Sequence, residues 1–152
     1  MARIYSVSFT DIAVTADQDF FQIEAVTVPV SILSIYISQN SDVGDSAAEN
    51  LTIRIRQVTD ALTNVTAEVL LDQRDAAALA DLNVNDTTPL TTGAATVHAE
   101  VWNIAFPWVW TPPVFNGVPQ ELIVPVGEVI TVNLVANPAD ELITSGTMYF
   151  AE

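Results

Sequence analysis

Short runs in which every second residue is apolar, each closed by a turn, recur from one end of this chain to the other. Tyr5, Val7 and Phe9 alternate with Ser6 and Ser8. Phe21, Ile23 and Ala25 alternate with Gln22 and Glu24. Leu33, Ile35 and Ile37 alternate with Ser34, Tyr36 and Ser38, and Leu51, Ile53 and Ile55 with Thr52, Arg54 and Arg56. A period of two puts successive side chains on opposite sides of an extended strand, so each run reads as a strand with one face buried.

The second half continues the pattern less cleanly. Val97, Ala99 and Val101 oppose His98, Glu100 and Trp102, and further strands are expected over Phe106 to Trp110, Glu121 to Val124, Val129 to Ala136 and Ile143 to Ala151. Pro29, the Asn40 to Glu49 loop, the proline-rich stretch Thr111 to Pro119 with its Asn116-Gly117 pair, and Asn137 to Asp140 supply the breaks. Thr59 to Thr92 has no clear period. Thr66 to Leu71 is compatible with a short strand, the Ala-rich Asp75 to Leu82 with one or two helical turns capped by Asp75, and Asn85 to Gly93 with a turn-rich connection.

About eight to ten short strands at this spacing predict an all-β, antiparallel sandwich. A jelly roll of two sheets fits first and an immunoglobulin-like sandwich second, the latter without the cysteine pair that would mark it. The 152 residues, with no internal repeat and no shift of composition, read as one domain over 1–152.

Charge excludes several partners. Nineteen Asp and Glu face four Arg and no Lys, a formal net charge of −15. Such a field repels phosphate backbones and anionic lipid, so neither nucleic acid nor a membrane is expected as a partner. No apolar run approaches the length of a membrane span. The absence of cysteine removes disulfides, thiolate catalysis and Cys-ligated metals. The opening Met1 to Phe9 alternates like a strand rather than reading as a signal peptide, which suggests synthesis in a cytoplasm without export. The Asn-x-Ser/Thr triplets at Asn50, Asn64 and Asn85 read as coincidence in a Thr-rich chain.

The residue types for catalysis are present but not arranged for it. His98, the sole histidine, sits mid-strand, and there is no Gly-x-Ser-x-Gly elbow. Carboxylates are too numerous for any one pair to mark a glycan hydrolase. The Asn40 to Asp45 loop with Glu49 has oxygen ligands for Ca²⁺ but not the EF-hand spacing. Phosphate-cradling glycine motifs are missing. No enzyme activity, metal or cofactor is expected.

Two groups remain as candidate interface residues. Arg54 and Arg56 share a strand face and suit either compensation of nearby acids or salt bridges to another chain. Trp102, Trp108 and Trp110, with Phe115 close by, suit core filling, a sugar-stacking platform or a subunit contact. Their proline-rich flanks favour the contact.

Several segments carry a family resemblance: Met1 to Phe9, Ser38 to Asp45, the strand His98 to Asn103, and Asn137 to Asp140 leading to Ser145 to Phe150. Together they resemble the capsid decoration, or cement, proteins of tailed bacteriophages. The resemblance implies a β-rich homotrimer on the outer surface of an icosahedral head, bound to a major capsid protein of the HK97-type fold and stabilising the shell. It implies no catalytic residues and leaves Thr59 to Thr92 unmatched. A carbohydrate-binding or host-receptor-binding jelly-roll module is the alternative that the tryptophans suggest.

Overall fold

A computed structural model describes residues 2–41, 49–62, 64–72 and 74–152. The elements are β1 (Ile4–Val14), β2 (Gln18–Glu24), β3 (Val30–Gln39), β4 (Asn50–Val58), β5 (Val69–Leu70), β6 (Asp81–Asp86), β7 (Ala95–Asn103), β8 (Trp108–Trp110), β9 (Val114–Phe115), β10 (Val118–Pro119), β11 (Leu122–Val124), β12 (Val129–Leu134) and β13 (Leu142–Ala151). There is no helix among the described residues.

Two antiparallel sheets pack face to face. One has the order β11-β3-β13-β1-β5, with β8 also on β3, and the other β6-β2-β12-β4-β7. The pairing is nested. β1 pairs with β13, β2 with β12, β3 with β11 and β8, and β4 with β7. The chain is thus a long hairpin rolled over itself, with β1 to β6 falling alternately in the two sheets, and that is the jelly-roll topology.

The alternation predicted for each run is what fills the space between the sheets. Tyr5, Val7 and Phe9 from β1, Phe21 and Ile23 from β2, Ile35 and Ile37 from β3, and Ile53 and Ile55 from β4 all lie in one core. Each buried branched or aromatic side chain contributes about 1.5–3 kcal/mol. Bulges adjust the phase. In β2 the register slips beside Phe20, so Phe20 and Phe21 both enter the core. In β3 it slips beside Leu33, so Leu33 leaves the face of Ile35 and Ile37, where the sequence pattern put it, while Val30 and Ile32 are buried instead.

The Ala-rich Asp75 to Leu82 does not form the expected helical turns. Its backbone donors are taken by distant carboxylates: Ala78 N–H donates to Glu68, and the Leu79 and Ala80 N–H groups donate to Glu152. Tyr5 anchors the same stretch through its hydroxyl on the Ala76 carbonyl. The chain then enters β6, a strand that the turn-rich composition hid.

After Trp110 the chain leaves the edge of the first sheet and returns to it at Leu122. The excursion is the β9–β10 hairpin, turned by Asn116 and Gly117 at φ of 52° and 78°. Both central residues of a two-residue hairpin turn need positive φ, which is why Asn-Gly serves there.

Candidate functional site

Thr96 to Pro113 gathers the rare residues of the sequence, and the structure divides them between core and rim. Trp102, Trp108 and Trp110 are only 2%, 4% and 7% exposed. Trp102 stands edge-on to Phe20 and donates its indole N–H to the Phe106 carbonyl at 2.8 Å. The expectation that the tryptophans face another chain is therefore corrected: prolines flank them, but β8 lies on β3 with both its indoles turned toward the core. Phe115 remains outside, 65% exposed on the hairpin.

Arg56 is also corrected as an interchain cation. It is buried, and its guanidinium donates to Asp19 Oδ1 at 3.3 Å. Asp19 further accepts from Gln22 Nε2, Asn133 Nδ2 and the Leu90 N–H, each at 2.9 Å. Burial pushes the Asp19 carboxyl up from its ordinary value, against the pull of those donors and of Arg56. Burial likewise lowers the Arg56 guanidinium, against the attraction of Asp19. Arg54 points from the same sheet face and donates Nε to Asn133 Oδ1 at 2.9 Å. The two arginines thus join a polar network on the outer side of the second sheet, closed over by the Leu90 segment. The other two, Arg3 and Arg74, pair with Asp75 and Asp72.

His98 projects toward the gap between the sheets at the β7 edge, beside Trp110. Its Nε2 is 3.5 Å from Glu100 Oε2 and has no hydrogen bond. Glu121 lines the same depression as His98 and accepts from the Ser31 hydroxyl, but among the described residues no hydrogen bond joins His98 Nε2 to a nucleophile. Most of the Asn40 to Asp45 loop considered for Ca²⁺ lies outside the described residues. Among those described, no group of three or more His, Cys, Asp or Glu could hold a metal ion.

What sequence reasoning missed is the direction of β7. Its Val97, Ala99 and Val101 side faces outward and its mixed polar and aromatic side faces the sandwich, because Trp102 and His98 pair with the core residues Leu51 and Ile55. Val101 is 63% exposed and Phe106 67%, and Val97 and Val109 are exposed nearby. A depression of about 310 Å³ runs between Val101, Phe106, Pro107 and Val109, with Glu100 and Asn103 at its rim. A smaller one of about 150 Å³ lies between Val97, His98, Trp110 and Pro113. The signal was the plain valine face itself, since alternation says that a strand has two faces and not which of them is covered.

A further depression, about 480 Å³, is on the outer face of the first sheet, among Ser8, Thr10, Tyr36, Ser38, Pro107, Ser145 and Thr147. It brings together no acid–base pair. No family model, curated protein or solved structure matches the chain.

Proposed function

We propose that this chain is a non-enzymatic structural protein of a tailed-phage virion: a decoration protein made in the host cytoplasm that binds the outside of the head as a homotrimer and reinforces the shell of major capsid protein. The observation that carries the reading is the exposed apolar group of Phe106, Val109, Val114 and Phe115 on a chain of net charge −15. Apolar groups collected on an otherwise highly charged surface favour contact with another protein over solvent. The sequence resemblance supplies the kind of partner, and the jelly-roll sandwich suits a small rigid element of a shell.

The test is co-sedimentation with heads that lack the protein, together with its mass in solution. Binding at saturable stoichiometry is expected, and Phe106→Ala with Phe115→Ala is expected to weaken it at least tenfold. A folded protein with no affinity for the heads overturns the proposal.

A carbohydrate-binding module is the second reading, favoured by the depression that the exposed Phe106 lines together with Glu100 and Asn103. An aromatic face next to hydrogen-bonding groups is what a pyranose needs. Glycan-array binding abolished by Phe106→Ala, with no affinity for heads, would decide for it.

A further inference from the structure

β7 is an open sheet edge. It pairs along one side with β4, and among the described residues its other side carries only the turn bond from the Phe106 N–H to the Asn103 carbonyl. The other edges are protected. β6 receives the Thr66 N–H at the Leu82 carbonyl, β5 is two residues long, and the β8 and β11 edge is interrupted by the hairpin. Natural edges are blunted by proline, lysine, bulges, inward-pointing charges or short length, because a row of unpaired N–H and C=O groups is a template for another strand. Ala95 to Asn103 runs nine residues with neither proline nor lysine; its register slips once, at Val97, and its one inward-facing acid is Glu100.

We propose that a second copy of this chain adds its own β7 to this edge, antiparallel, across a two-fold axis through Ala99. The register follows from the side chains. Residues on one face must meet residues on the same face, so a two-fold axis has to pass through a residue. Centred on Ala99, the pairing sets His98 opposite the second copy's Glu100 twice over and brings the bulged Val97 beside its Val101 twice over. Centred on Glu100 it would oppose two carboxylates, and centred on His98 two imidazoles. Only the Ala99 register turns the one acid of the strand toward a group that can hold a positive charge, which matters for two molecules of net charge −15. The exposed Val97 and Val101 then cover each other on the outer face. The inference does not depend on the capsid role, and a two-fold contact is distinct from the three-fold one expected of a decoration trimer.

The chain has no cysteine, so Ala99→Cys introduces a single thiol. Directly opposed residues of an antiparallel pair have Cβ atoms about 4.5–5.5 Å apart, near enough for a disulfide with little adjustment. Mild oxidation of dilute Ala99→Cys should give a covalent dimer rapidly, while Thr10→Cys, exposed on the other sheet, stays uncrosslinked. Ala99→Lys sets two like charges on the axis and should raise the dimer dissociation constant about tenfold or more, with unfolding unchanged because the site is exposed. Charge reversal provides rescue: His98→Glu should dissociate the dimer, and His98→Glu with Glu100→His should restore it. Wild-type protein that sediments as a monomer, or an Ala99→Cys bridge no faster than that of Thr10→Cys, overturns the proposal whether or not the protein binds heads.

Discussion

Arg56 and Asp19 meet at 3.3 Å with 3% and 0% of their side chains exposed, on the side of a sheet that an isolated sandwich would leave in water. The Leu90 N–H closes over the carboxylate, so the covering segment is held by the pair that it buries. Desolvation opposes both charges, and removing one partner strands the other. Arg56→Met should therefore cost about 3–5 kcal/mol in urea unfolding. Asp19→Asn combined with Arg56→Met should cost less than Arg56→Met alone, since no buried charge is left. Additive losses in that double mutant would contradict the account.

Gly146 faces Phe9 across the β1–β13 ladder, and a methyl group there would meet the Phe9 ring at 2.8 Å and the Tyr36 carbonyl oxygen at 2.9 Å. The ring stacks on Phe20 and cannot retreat freely. Gly146→Ala should lose about 1–3 kcal/mol by overpacking. Phe9→Leu in the same chain should recover part of that loss while costing stability on its own. A neutral Gly146→Ala in thermal unfolding would show that the backbone yields instead.

The strands that fill the core were legible because each has one wet and one dry face: Ile53 and Ile55 against Thr52 and Arg54 leave little choice. The bulges at Phe20 and Leu33 were not, since a one-residue slip is fixed by the partner strand. Nor was the path from Thr59 to Thr92. Its backbone is satisfied by side chains far along the chain, Glu24 for Leu62, Glu152 for Ala80 and Asp19 for Leu90, and no local pattern announces such bonds. The tryptophans were legible as a cluster but misplaced, because prolines mark an edge without saying which way the edge side chains point.

The indoles of Trp102 and Trp108 differ in one respect that mutation can read. Trp102 donates to the Phe106 carbonyl, whereas the Trp108 N–H is buried without a partner. Trp102→Phe loses that hydrogen bond as well as volume, and Trp108→Phe relieves an unsatisfied donor while losing the same volume. Trp102→Phe should be more destabilising than Trp108→Phe by about 1–2 kcal/mol. Trp108→Ala, by contrast, should cost about 3–5 kcal/mol, through the core and not through any contact with another chain. Equal losses for the two Phe variants would remove the distinction.

Asp60 and Asp19 give acid stability two opposing contributions. Asp60 Oδ2 accepts from the Thr91 and Thr92 N–H groups at 3.0 and 2.9 Å, beside the Thr59 N–H bond to the Thr92 carbonyl. Hydrogen bonds from the Thr92 side chain and backbone, and then from the Thr91 backbone, hold its carboxyl below the ordinary 3.8. A carboxyl lowered in the fold stabilises it at pH above its unfolded value, and that contribution disappears as pH falls through the folded value, below about 4. Asp19 is raised, so its buried charge burdens the fold at pH above the folded value, and protonation on the way down to about 4 relieves that burden. Asp60→Asn should flatten the loss of stability below about pH 4, and the Thr91 and Thr92 amides should exchange faster at neutral pH. Asp19→Asn should remove the relief on the acid side and leave the Asp60 limb in place. Urea midpoints from pH 3 to 7 for the wild type and the two variants read both effects, and a wild-type acid limb in Asp60→Asn would place the acid sensitivity elsewhere in the molecule.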